Sequence, residues 1–218
     1  MRRKRDFGFA AAMLAAFLLW TVAVRFVDVK AIGPQESSVG FATINHQVHN
    51  LTGVHMTLYT ITDHLSIVPL AIVAGFALLG LMQWIKRKIF WKVDRDILVL
   101  GGFYLAVMAV YVLFEVFVVN YRPVLIGGML EASYPSSTTM LVMCVMPTAQ
   151  MQLNGRIKSK ALKCCTASAI TAFTAFMVIG RLLSGVHWFT DIVGGALLSA
   201  GLVLLYRAAA RKEIDKFM

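Results

Sequence analysis

The sequence predicts an all-α membrane protein, a six-transmembrane helix bundle with an amphipathic outer interfacial helix between spans 1 and 2. Three observations predict it. Apolar residues make up 59% of the chain and charged residues only 15%, where soluble domains carry about 25% charged residues. Apolar runs near the roughly 20 residues needed to cross a bilayer recur along the whole chain. The basic residues fall into four clusters, one at every second span boundary.

The spans are expected near residues 9–27, 65–85, 97–119, 138–153, 162–183 and 192–206, within a single integral membrane domain over residues 1–218. The first is too long, and wrongly flanked, for a cleaved signal peptide. The fourth and sixth are short. Their outer ends are expected inside the protein or a water-filled cavity, where polar backbone is tolerated. Between the first two spans, residues 28–63 form the one long non-spanning stretch. Within it Phe41, Ile44, Val48, Leu51, Leu58 and Ile61 recur at helical spacing. Ser37 and Ser38 offer an N-cap and Gly53 a break. A helix lying in the outer interface fits this pattern.

Seventeen of the 21 Lys and Arg lie in residues 1–5, 86–95, 156–163 and 207–216. These stretches share one side. The positive-inside rule makes that side cytoplasmic, with both termini, in a multi-pass protein of the cell membrane. The net charge of +10 is therefore a topology signal. It excludes nucleic acid as a partner, because the charge sits in short loops beside helices. Cys144, Cys164 and Cys165 do not face the outer side, so no disulfide framework is available. His46 and His49 stand three apart with no carboxylate nearby in sequence, and neither metal nor cofactor is assigned.

Arg25, Lys30, Arg122 and Arg181 escape the basic clusters. The last two sit at the outer ends of spans three and five, among three polar segments expected on one aqueous face. The first runs from Glu115 to Asn120-Tyr121-Arg122-Pro123. The second is Tyr134-Pro135-Ser136-Ser137-Thr138-Thr139. The third runs from Gly180-Arg181 through Ser184, Gly185 and His187 to Thr190-Asp191. Physically this is an anion site. Each Arg offers a phosphate a planar fork of donors, and Ser136, Ser137 and Thr138 add hydroxyls and N–H groups at a helix N-terminus. His187 and Asp191, four apart, are expected on one helix face. Asp191 could hold one ring nitrogen and leave the other free to attack. The plainer alternatives are an interfacial histidine and an N-terminal helix cap. Three polar segments on one face favour function.

These segments resemble the type 2 phosphatidic acid phosphatases, the membrane-bound acid phosphatase superfamily. That family's pattern is Lys, six residues, Arg-Pro; then Pro-Ser-Gly-His; then Ser-Arg, five residues, His, three residues, Asp. Arg122-Pro123, Pro135-Ser136 and the set Arg181, His187 and Asp191 match it here. The resemblance implies hydrolysis or transfer of phosphate on lipid phosphates, without a metal. His187 would be the nucleophile that becomes phosphohistidine, Asp191 its orienter, and Arg122 and Arg181 the phosphate holders.

Three positions depart from the pattern. Glu115 stands for the first Lys, Ser137-Thr138 for Gly-His, and Gly180 for the Ser before Arg181. The lost His is the family's general acid, and an alcohol such as Thr138 is too weak an acid to replace it. Diphosphates, whose leaving group needs a proton least, are then the expected substrates; a polyprenyl diphosphate in the bilayer is one such lipid. Glu115 is expected about seven residues inside the end of span three, roughly 10 Å along the helix. There it would pair with Arg122, supply the missing acid, receive a cationic headgroup, or simply be buried among polar neighbours. Tyr134 is a second candidate for modulating group or acid, and Glu131 a third. The competing readings are a catalytically degenerate protein that binds or moves a lipid phosphate and, furthest from the motifs, an unrelated transporter.

Overall fold

The computed structural model describes residues 2–214. Its helices are α1 (Arg2–Phe26), α2 (Ala42–Thr52), α3 (Met56–Leu65), α4 (Ile67–Arg87), α5 (Arg95–Val116), α6 (Ser137–Arg156), α7 (Lys160–Leu183) and α8 (Phe189–Ile214). Two short strands, β1 (Lys30–Ala31) and β2 (Ser38–Val39), pair antiparallel between α1 and α2.

Among the described residues, five helical stretches are long and apolar enough to cross a membrane: Lys4–Phe26, Met56–Arg87, Arg95–Val116, Lys160–Leu183 and Phe189–Ala210. The stretch expected to supply the fourth span, here α6, is not one of them. The reason is its composition. Thr138, Thr139, Thr148 and Gln152 are buried along it, and Thr138, Thr148 and Gln152 bond to protein rather than being left to lipid. Thr148 meets the Tyr104 hydroxyl at 3.2 Å, and Gln152 donates to the Tyr206 hydroxyl at 2.7 Å.

Burial separates the centre from the rim. Half of α8's apolar stretch is buried, against 6% for α7 and for Met56–Arg87. α8 and α6 therefore form the middle of the bundle. α1 lies along α8: an added Cβ on Gly201 would stand 2.7 Å from the Leu14 side chain, so only glycine permits that approach. The core between them gathers Phe17, Leu100, Phe103, Met140, Leu198 and Tyr206.

The segment before α4 differs in detail from the expected interfacial helix. Gly53 (φ +67°) does end α2. A second helix, α3, then runs almost unbroken into α4 across Ser66. Pro69 explains the joint, since it has no N–H to offer the Leu65 carbonyl one turn back. Ser37 and Ser38 do not cap α2; Ser38 is in β2, and the Thr43 N–H is taken by Asp28 Oδ2 at 2.7 Å. That bond is the chief cause holding the half-buried Asp28 carboxyl down at about 2. The apolar side of α2 faces away from the protein, with Leu51 87% exposed, while the polar Asn45 is buried.

Candidate functional site

Each polar segment is delivered by a local device that the sequence encodes. α5 stops at Val116, and the chain then forms a hairpin. Ser133 N–H donates to the Asn120 carbonyl at 2.9 Å and Arg122 N–H to the Glu131 carbonyl at 3.0 Å. The tip turns at Gly127 and Gly128, both with positive φ, between the paired Ile126 and Met129, as a tight two-residue hairpin loop requires. Arg122 and Glu131 are thus cross-strand neighbours. Their side chains pair, with Arg122 Nε 3.0 Å from Glu131 Oε2 at an angle that makes an ion contact but no hydrogen bond.

The second segment opens α6. Ser136 caps it, its Oγ accepting from Thr139 N–H at 3.5 Å, and Ser136 N–H donates to the Asp191 carbonyl at 3.1 Å. The start of α6 is thereby fixed to the start of α8. Ser137 follows, half-buried in the first turn.

In the third segment Arg181 ends α7, Gly185 turns the chain at φ +69°, and His187 comes just before α8. His187 is therefore not on a shared helix face with Asp191, as the spacing suggested. Asp191 sits in α8's first turn, and its Oδ2 accepts from Trp188 N–H at 2.9 Å, the reciprocal half of a capping box. The same Oδ2 lies 3.7 Å from His187 Nδ1, too far for a hydrogen bond. Asp191 is thus both a helix cap and the carboxylate facing the imidazole. Asn120 Nδ2 reaches its other oxygen at 3.4 Å.

The segments meet. Arg122 Nη1 donates to His187 Nε2 at 3.2 Å, and Arg181 Nη2 donates to Thr138 Oγ1 at 2.6 Å. Arg181, His187 and Asp191 are all at most 3% exposed. Guanidinium groups only donate, so Nε2 of the neutral ring must carry the lone pair and Nδ1 the proton, on the side facing Asp191. Burial, then the Arg122 and Arg181 charges, hold the His187 pKa well below the usual histidine value; a Ser133 backbone contact opposes them weakly. The ring is therefore neutral at neutral pH.

Two sequence candidates fall elsewhere. The Tyr134 hydroxyl turns away to Thr21 Oγ1 at 2.7 Å, and its ring stacks on Phe17. Burial raises its pKa, so the phenol keeps its proton at neutral pH and is a weaker acid than an exposed tyrosine. Glu115 is exposed, one residue from the end of α5 rather than seven residues inside it. Because the helix has ended, Glu115 and Arg122 share no helix face. Glu115 interacts with Tyr111 and lines a narrow crevice with Ser133 and Ser137.

Other groups matter that motif spacing does not single out. Arg181 is held from α3: Nη2 pairs with Asp63 Oδ1 at 3.1 Å, Nη1 donates to Thr62 Oγ1 at 3.4 Å, and the guanidinium lies 4.8 Å from the Tyr59 ring centre. Asn45 of α2 donates to Thr190 Oγ1 at 2.9 Å and accepts from Thr190 N–H at 3.2 Å. It caps α8 from outside the chain's local sequence. Only a buried asparagine in an otherwise outward-facing helix hints at that role.

Fold and cluster together define a multi-pass helical membrane protein whose buried histidine is flanked by two arginines and one carboxylate. Residues 116–215 match the family model of the PAP2 superfamily. That stretch, a little under half of the chain, holds every residue of the three polar segments except Glu115. Among solved structures it is similar to the first transmembrane PAP2 type phosphatidylglycerolphosphate phosphatase from Bacillus subtilis. The TM-score is 0.64 and the identity 18%, over 93% of this chain and 96% of that one. At that identity the likeness speaks for the fold. No curated protein matches the sequence.

Proposed function

We propose that the protein is a lipid phosphate phosphohydrolase or phosphotransferase that works through a phosphohistidine and favours diphosphates. The observation that carries this is the Arg122–His187 contact. It leaves the lone pair on Nε2, beside the very donor that would grip a phosphate oxygen. In the reaction His187 Nε2 attacks phosphorus and the bond to the leaving oxygen breaks. Asp191 stabilises the ring as it becomes charged. Arg122, Arg181 and the N-terminus of α6 balance the charge on the transferring group. Water or an acceptor hydroxyl then takes the phosphoryl group and frees the histidine. The match of residues 116–215 to the PAP2 superfamily model supports the reading, as does the phosphatase named in the similar structure.

The leaving-group preference rests on Thr138. Its oxygen accepts from Arg181, so it positions a cation and supplies no acid. An alkoxide leaving from a monoester then departs unprotonated, whereas a phosphate leaving from a diphosphate needs little help. Glu115, in the adjoining crevice, is the remaining candidate acid. The same loss of acid favours a second reading, a degenerate protein that binds lipid phosphate without turning it over.

We further place α6 as a sixth crossing, the basic ends and both termini in the cytoplasm, and the cluster on the extracytoplasmic face of the cell membrane. The outward apolar side of α2 supports an interfacial position for that helix.

The test is phosphate release from a polyprenyl diphosphate, a polyprenyl monophosphate and phosphatidic acid, without added metal, alongside His187→Ala. Release from the diphosphate that disappears in the variant is the expected outcome. Binding of all three lipids with no release from any would establish the binding protein instead.

A further inference from the structure

A groove of about 550 Å³ runs between α4 and α5, far along the bundle from the histidine cluster and almost wholly apolar. On α4 it extends from Val73 to Trp84 and on α5 from Ile97 to Met108. Each wall is thus about 16 Å long at the helical rise, close to half of a roughly 30 Å hydrocarbon core. That is the depth of one leaflet. The two helices come closest near the ends they share with the intervening loop, where a Cβ on Gly80 would stand 3.1 Å from Ile97 Cγ2. Along the groove Gly101 and Gly102 are open, with nothing within 4 Å of an added Cβ. The volume falls within the range that holds a small ligand.

The mouth of the groove is basic. α4 ends and α5 begins there, and Lys86, Lys88, Lys92 and Arg95 are exposed. None of these four has a carboxylate partner among the described residues; only Arg87 does, pairing with Asp94 at 2.7 Å. Trp84 and Phe90 line the groove at this end, and Trp91, 82% exposed, follows. Aromatic residues beside lysines mark the headgroup level of a bilayer.

We propose that this groove is a binding site for one anionic glycerophospholipid from the leaflet on the basic side. An acyl chain lies between α4 and α5 along Gly101 and Gly102, and the phosphate sits among Lys86, Lys88 and Lys92. The wall length matches a single leaflet, and the unpaired cations select an anionic headgroup over a zwitterionic one. The site is separate from the proposed chemistry and does not depend on it.

Native mass spectrometry of protein taken from vesicles of equal phosphatidylglycerol and phosphatidylcholine tests it. The wild-type chain is expected to retain one phosphatidylglycerol. Gly101→Phe, which fills the groove and improves helix propensity, is expected to lower that occupancy at least about tenfold. The triple variant Lys86→Gln, Lys88→Gln and Lys92→Gln is expected to keep a lipid but to lose the preference between the two headgroups. The proposal fails if occupancy is unchanged in Gly101→Phe, or if wild-type protein holds both lipids equally. It fails too if the groove is covered by a second copy, seen as a dimer that Gly101→Phe dissociates. Displacement of phosphatidylglycerol by a polyprenyl phosphate would assign the groove to the substrate's tail and overturn it as well.

Discussion

His187 shows how burial and neighbouring charge can keep an imidazole neutral, the state that the proposed attack on phosphorus requires. Protonation would place a third cation beside Arg122 and Arg181 in a site that excludes water, so the ring stays neutral well into the acid range. Only the neutral ring can attack. The acid limb of kcat/KM is therefore expected below the ordinary histidine value of about 6.5. Removing one cation lets the ring protonate more easily, so Arg122→Gln should move that limb to higher pH. It should also cut the rate by roughly 10²–10³, the usual loss on removing one donor to a transition state. Phosphate release measured across pH checks both effects. A rate loss with an unmoved acid limb would show that Arg122 binds phosphate without setting the ring's charge. Glu115 can be probed at this scale too. Arg122 already has Glu131 as its partner, so Glu115→Lys should leave that pair intact. If Glu115 is the acid, the substitution abolishes diphosphate release instead of raising it.

At the scale of elements, the pair α2–α3 holds the turn that carries His187 in place. Gly53 and Gly185 pack backbone to backbone: a Cβ on Gly185 would stand 1.9 Å from the Gly53 carbonyl oxygen, and His55 N–H donates to the Ser184 carbonyl at 2.9 Å. The two glycines share a positive φ but not the crowding, since a Cβ on Gly53 meets nothing nearer than His55 Nε2 at 3.8 Å. Both alanine variants incur backbone strain of about 1–3 kcal/mol, and Gly185→Ala adds a clash with backbone. Gly185→Ala should thus lower the melting temperature by roughly 5–10 °C and shift His187 enough to lose most activity. Gly53→Ala should lose less of each. Thermal unfolding in detergent and phosphate release, measured on both, make the comparison; equal losses would place the cost in φ alone. This contact also shows what the sequence could not disclose. Apolar run length pointed to each long helix, because a bilayer crossing sets a length, but not to its ends: α1 begins at Arg2 and α8 runs on to Ile214. The spacing of Arg181, His187 and Asp191 brought those residues to one place, because the turn between α7 and α8 is short. The hold of Tyr59, Thr62 and Asp63 on Arg181, more than a hundred positions away, leaves no periodic mark. Nor does the end of α5 at Val116: Phe117, Val118 and Val119 are as apolar as a span, and it is the hairpin beyond them that stops the helix.

For the whole molecule, α6 decides how many times the chain crosses. Judged by its own residues α6 is too polar for lipid, yet it is 20 residues long and lies at the centre of the bundle with ten of its residues buried. At 1.5 Å per residue it measures about 30 Å, the thickness of the hydrocarbon core. A helix surrounded by other helices can carry threonine and glutamine across, because those side chains bond to protein. If α6 crosses, the loop at Lys158 lies on the same side as the other basic clusters, and α2 lies on the opposite side. In a chain whose three cysteines are replaced by alanine, Lys158→Cys should then react with a membrane-impermeant maleimide only in inverted vesicles, and His46→Cys only in intact cells. Labelling of both from the same side would mean that α6 does not cross. The basic clusters would then be divided between the two faces, and the charge pattern would lose its meaning as an orientation signal.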